Sequence, residues 1–236
     1  MPVFPGPRGE VARDYRSENG SAIFAGFAEL LSIPNVASYN EGIGRNAVYI
    51  RDQFRERGID MELLTLPDVP PIIFGEITRP NATRTLAIYV HYDGQPADPT
   101  QWAHAPWEAT LYTAAMEEGG EPRPFPKPGE EIDPEWRLYA RSAGDDKAPI
   151  AALLAVLDAF RESDIAITSN IKFFFEGEED AGSARRGPAP SGKQKNIALY
   201  LSADIATSMT SMSSFRVRPD LPRTVKPWTV AITNRV

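Results

Sequence analysis

Residues 171–180 read IKFFFEGEED, three phenylalanines followed within five residues by four carboxylates and one glycine. Ile171, Phe173, Phe174 and Phe175 place apolar side chains on both faces of any strand they form, so that strand has to be covered on both sides, as in the middle of an α/β sheet. Glu176, Glu178, Glu179 and Asp180 then begin where the strand leaves the core. Like charges at this density are tolerated in solvent or where a cation lies between them.

The flanking sequence supports the same class of fold. SAIFAGFAELLSIP (residues 21–34) and GIGRNAVYIRDQFRERG (42–58) carry apolar residues at helical spacing and end at Pro34 and Gly58. DMELLTL (60–66), PPIIFGEI (70–77) and TLAIYVHYD (85–93) read as strands, the last stopping at Gly94 and Pro96. MEEGGEPRPFPKPGEEIDPE (116–135) reads as an exposed excursion between strands near EATLYT and WRLYAR. DDKAPIAALLAVLDAFRESD (145–164) is a helix that opens with negative charge at its positive end, and strands alternating with helices predict an α/β sandwich.

Ligand sites of open α/β sheets collect at the carboxyl ends of strands. Three such places carry chemistry here: HYDGQP, SAGDDKAP and EGEED. On a strand, residues two apart share a face, so Asp93 is placed to hold the ring nitrogen of His91 that a metal would not use. The chain has no cysteine and two histidines, so any metal site must use imidazole and oxygen donors, a set that suits zinc, manganese or cobalt. Taken singly, each motif also has a plainer meaning. EGEED can be a solvated acidic loop, Asp145 or Asp146 can cap the Ala-rich helix, and His91 can be a core histidine. His104 reads as an ordinary loop histidine, and Trp102 and Trp107 as packing.

Together, HYDGQPADPTQW, WRLYARSAGDDKAP and FFFEGEEDAGS, in this order and spacing, resemble the M20 metallopeptidases, and the dipeptidase and carnosinase-like branch in particular. The resemblance runs from about Phe24 to Ser183. It implies a mixed sheet sandwiched by helices, the zinc-peptidase-like catalytic domain. It implies that His91 binds one metal, that Asp93 orients it, and that Asp145 bridges two metals, often ahead of a cis peptide. Glu179 would be the general base and Asp180, where the family usually has Glu, a ligand of the second metal. The implied reaction is hydrolysis of small peptide or amide bonds. Two divalent ions, zinc first, with manganese or cobalt as alternatives, would activate a water whose proton Glu179 takes and returns to the leaving amine.

The resemblance also marks departures. No histidine follows His104, so the resemblance is expected to be incomplete, without a counterpart of the family's last imidazole ligand and without its lid and dimerisation domain. Asp204 is the one nearby carboxylate for the third acidic ligand, without the Gly-Pro that usually follows it. Up to Ser183 there are 30 acidic and 16 basic residues, whereas residues 184–236 hold two acidic and nine basic ones. The chain is therefore expected to divide into a partial catalytic domain (1–183) and a divergent basic, Ser/Thr/Pro-rich tail (184–236). That tail would be either frameshifted or a genuine extension that recruits an acidic partner or nucleic acid.

The net charge of −7 argues against general nucleic-acid binding by the chain as a whole. The Pro-rich N-terminus lacks a secretory apolar core, so a cytoplasmic, membrane-free location is expected, with small peptides as partners and no family dimer surface. Two other functional classes draw on the same kinds of residue. A non-catalytic metal-binding or interaction remnant predicts metal binding without turnover. Magnesium-dependent phosphoryl transfer lacks the Gly-rich loop followed by Lys and Ser or Thr that it would need.

Overall fold

The computed structural model describes residues 7–182. Three helices and seven strands carry the fold: α1 (Pro7–Leu31), α2 (Asn40–Glu56), β1 (Met61–Leu66), β2 (Val69–Ile77), β3 (Thr85–His91), β4 (Thr110–Tyr112), β5 (Pro122–Arg123), β6 (Arg137–Tyr139), α3 (Ala148–Glu162) and β7 (Asn170–Glu176). The main sheet has the order β1-β2-β7-β3. β1, β2 and β7 pair antiparallel while β3 and β7 pair parallel, so the sheet is mixed as expected. Residues between β3 and α3 build a second, three-stranded sheet, β5-β4-β6.

The phenylalanine run is the middle of the main sheet. Phe173, Phe174 and Phe175 are all buried. Phe173 and Phe175 share a face with Ile73, Val90 and Met61 in the main core, and the Phe54 ring lies 5.3 Å and 5.2 Å from them. Ile43, Ala47, Ile50 and Phe54 recur at helical spacing and give α2 the buried stripe that seats it on this face. Ile150 of α3 enters the same core, with Leu153, Leu154 and Leu157 packed against it, and α1 packs against α3. On the opposite face Phe174 meets Phe74 at 5.1 Å. Phe174 is buried as well, but Phe74 is its cross-strand neighbour in the same sheet, so the helix residues of the core meet the face that carries Phe173 and Phe175.

α1 begins well before the apolar pattern, at Pro7, a residue whose fixed φ and missing N–H suit a first helical turn. Its early turns are polar and show no apolar stripe, which is why periodicity starts the helix only at residue 21. The excursion at 116–135 also contributes more than exposed loop. It supplies β5, Phe125 packs edge-on to Phe24 of α1, and the Arg123 guanidinium sits 3.3 Å from the centre of the Trp136 ring.

Register decides where chemistry can be placed. β3 and β7 run side by side, with His91 opposite Glu176, so HYDG and EGEED leave adjacent strands at the same level. The SAGDDK turn reaches that level from β6, in a kinked turn at Ala143–Lys147, non-helical at Asp145 and Asp146, that leads directly into α3.

Candidate metal centre

His91 ends β3 with its ring almost buried, and three carboxylate segments surround it. Nε2 lies 2.9 Å from Asp145 Oδ1 and 3.8 Å from Glu179 Oε2. On the other side of the ring, Nδ1 is 3.4 Å from Asp93 Oδ1, long for a hydrogen bond but an ion-pair distance when the ring is protonated. The backbone N–H of His91 donates to Asp146 Oδ2 at 3.4 Å. Asp93 therefore lies beside Nδ1, at ion-pair rather than hydrogen-bond distance, and buried Nδ1 makes no hydrogen bond among the described residues.

Asp93 has a second task that the sequence did not reveal. Its fully buried carboxylate accepts the backbone N–H of Glu179 at 3.1 Å and of Asp180 at 3.0 Å, one on each oxygen. HYD and EGEED are thereby locked together by a charge-assisted pair of hydrogen bonds. Gln95 completes the lock: its Nε2 donates to the backbone oxygen of Asp180 at 2.5 Å and to Asp180 Oδ1 at 3.2 Å.

The Asp145–Asp146 peptide is cis. Neither carboxylate caps the Ala-rich helix: Lys147 occupies the cap position of α3 and no side chain bonds to it there. The capping interpretation of DDK is therefore corrected, because the Asp145 and Asp146 oxygens face His91 instead. Lys147 points inward. Its buried Nζ donates to Leu30 O at 2.9 Å and Ile33 O at 3.1 Å, tying the start of α3 to the end of α1, and burial pushes its ammonium down to about 7.

The electrostatics match a cation site. Burial opposes charge on His91, yet Asp93, Asp146 and Asp145 outweigh burial and hold the imidazole up at about 9. Burial comes first in raising Asp146 above the usual carboxylate range, with Asp145 and Glu179 adding to it against His91. Asp180 is also raised, by burial first and then by Asp93 and Asp145, while Gln95 and His91 oppose the shift. These carboxylates resist sharing one small volume, which is the charge surplus a divalent ion relieves.

Among the described residues no three such side chains already close into a cage. Asp145 and Glu179 are 49 % and 48 % exposed at the side chain, with oxygens 2.9 Å and 3.8 Å from the imidazole Nε2. The donor set of one imidazole with several carboxylates suits zinc, manganese or cobalt. Asp204 lies outside the described residues.

His104 is the loop histidine expected, with Nε2 2.6 Å from the Tyr112 hydroxyl. Trp102 packs against the Arg141 guanidinium, 4.9 Å from its ring centre. Trp107 does more than pack, since its Nε1–H donates to Asn35 Oδ1 at 3.1 Å. Asn35, Gln95 and Lys147 are the polar residues around the centre that sequence reasoning missed, because nothing local to them reports partners so far away along the chain.

Comparison with known proteins decides the family. The model of peptidase family M20/M25/M40 matches residues 87–217, more than half of the chain and all three acidic segments. The chain belongs to this family. The match runs past Ser183, where the charge composition reverses. A human Beta-Ala-His dipeptidase is 33% identical over 135 residues, covering 55% of this chain and 22% of the relative. A Cys-Gly metallodipeptidase of Schizosaccharomyces pombe is 27% identical over 165 residues, 65% of this chain and 30% of the relative. The chain thus spans less than a third of the length of either relative. Human carnosine dipeptidase 1 has the same fold over 77% of this chain and 37% of its own, with a TM-score of 0.60 at 23% identity. No helix among the described residues is long and apolar enough to cross a membrane.

Proposed function

We propose that this chain carries the first part of the catalytic centre of a metal-dependent peptidase that hydrolyses small peptides, dipeptides first among them. The observation that carries the proposal is the convergence of His91 Nε2, Asp145 Oδ1 and Glu179 Oε2 at the carboxyl end of the parallel β3–β7 pair, with Asp93 behind the ring. His91, Asp145 and Asp180 would hold the metal, with Asp204 as a further candidate. A divalent ion, when bound, supplies a Lewis acid that polarises a carbonyl and acidifies water.

The chain's own residues do the rest. Asp93 keeps the His91 ring turned toward the acidic segments and fixes the backbone of Glu179 and Asp180 at the same time. Glu179, half exposed, would take a proton from water and hand it to the departing amine. Gln95 Nε2 donates to Asp180 Oδ1 and would help to hold this shorter side chain where the family usually has Glu.

Metal titration of the full chain tests the proposal. Zinc, manganese and cobalt should bind the wild type, while His91→Ala and Asp145→Asn should each weaken binding by at least about tenfold. A wild type that binds none of the three overturns the metal assignment. Binding without hydrolysis of Beta-Ala-His, Cys-Gly or other dipeptides would favour the non-catalytic remnant.

A further inference from the structure

Asn35 sits in the turn between α1 and α2, far in sequence from every acidic segment, and is completely buried. Its Nδ2 donates to Tyr92 O at 2.8 Å and to Ser142 Oγ at 2.9 Å, and its Oδ1 accepts from Trp107 Nε1 at 3.1 Å. Its backbone oxygen accepts from Gly94 N at 3.0 Å, and Val36 bridges to Gly94. One residue thus grips the chain on both sides of Asp93, at Tyr92 and Gly94. The same carboxamide holds Ser142, where the turn carrying Asp145 and Asp146 begins.

The other end of that turn is held from the same place. Lys147 N closes the turn onto Ser142 O at 3.1 Å, and Lys147 Nζ reaches back to Leu30 O and Ile33 O, just ahead of Asn35. Space is equally specific. A Cβ on Gly94 would stand 2.1 Å from Ser142 Oγ and 3.1 Å from Asn35 Nδ2, so only glycine lets the two loops meet around the amide.

We infer that Asn35 is a positioning residue of the metal centre, a buried bracket that sets the Asp93 loop against the Asp145 loop. The inference rests on the metal site proposed above. Chemistry explains the residue type. The position needs two N–H groups aimed at two acceptors and an oxygen facing the indole N–H, and a primary carboxamide is the compact side chain that offers both. A fully satisfied buried network of this kind fixes geometry as well as stability.

The test compares the full-length wild type with Asn35→Leu, which keeps the bulk and loses every polar contact, and with Trp107→Phe, which removes only the donor to Oδ1. Arg57→Gln, which disturbs an ion pair at the other end of α2, serves as a stability control. For each, the thermal midpoint of the metal-free protein, the dissociation constant for Co2+ by chelator competition and the visible Co2+ absorption are measured. Asn35→Leu should weaken Co2+ binding by about tenfold to a hundredfold and alter the absorption bands while the protein remains folded. Trp107→Phe should weaken it by a smaller factor, and it carries the test if Asn35→Leu does not fold. Arg57→Gln should lower the midpoint and leave Co2+ binding within about twofold.

Wild-type affinity and spectrum in the foldable variants would overturn the inference and leave the metal site standing. An equal loss of affinity in Arg57→Gln would overturn it too, by reducing Asn35 to a contributor to general stability. A wild type that takes up no Co2+ overturns the metal site itself, a result visible before any variant is made.

Discussion

Gly177 separates the phenylalanine strand from Glu178, Glu179 and Asp180, and Gly177→Ala tests why it is there. A Cβ at this position would lie 2.5 Å from both Cζ and Oη of Tyr92 and 2.9 Å from Pro70 Cβ. Ordinary carbon contacts are about 3.5–4.0 Å, so the ring or the strand end has to shift by about 1 Å. Tyr92 cannot yield cheaply, because it is fully buried and its hydroxyl donates to Pro71 O. Overpacking of this kind costs about 1–3 kcal/mol, and losing the hydroxyl's partner adds about 1 kcal/mol.

A total near 3 kcal/mol would lower the thermal midpoint by roughly 6–12 °C in a domain of this size, and would lower the urea midpoint with little change in slope. Urea denaturation of Gly177→Ala in the wild-type and Tyr92→Leu backgrounds isolates the cause. The glycine substitution should cost at least about 1 kcal/mol less once the ring is gone, the Pro70 contact remaining. A loss below about 0.5 kcal/mol in the wild-type background, or equal losses in both, would refute the steric explanation.

Three further substitutions test the scaffold beneath the site. Phe54→Ala empties the space between Phe173 and Phe175 and should cost about 3–5 kcal/mol in chemical denaturation. Asp158→Ala removes the acidic partner of the Arg57 guanidinium, 2.7 Å from it in a largely buried pair between α2 and α3, leaves it bonded to Gln53, and should cost about 1–3 kcal/mol. A double-mutant cycle with Arg57→Ala should give a coupling of about 1–3 kcal/mol. Lys147→Met keeps the length of the side chain but removes the donor to Leu30 O and leaves Ile33 O only the longer bond from Asn46 Nδ2, and should cost about 1–3 kcal/mol by the same assay.

Local pattern was enough to find most of the elements. α2 shows its stripe, β7 shows its two-sided burial, and the turns into HYDG, DDK and EGEED are marked by breakers. The acidic segments stood out in sequence because they follow strand ends in the order and spacing of a known family, and the register of β3 against β7 brings two of them to one level. What stayed hidden depends on contacts between distant residues. The polar early turns of α1 have no stripe and are placed by contacts such as Gly20 against Ile132 of the excursion. Asp93 could be paired with His91 from spacing alone, but not with the amides of Glu179 and Asp180. Asn35 and Lys147 look in sequence like a turn residue and a helix-start lysine, and only the fold turns both into the frame of the acidic loops.

The most direct measurement is dipeptide hydrolysis by the zinc-loaded full chain, wild type against Glu179→Gln, with metal content determined on the same samples. The account predicts equal metal in both proteins and turnover that falls by about 10²–10⁴-fold in the variant, the range for loss of a positioned proton acceptor. Equal turnover in the two proteins, or a wild type that holds zinc and cleaves no dipeptide, would contradict it.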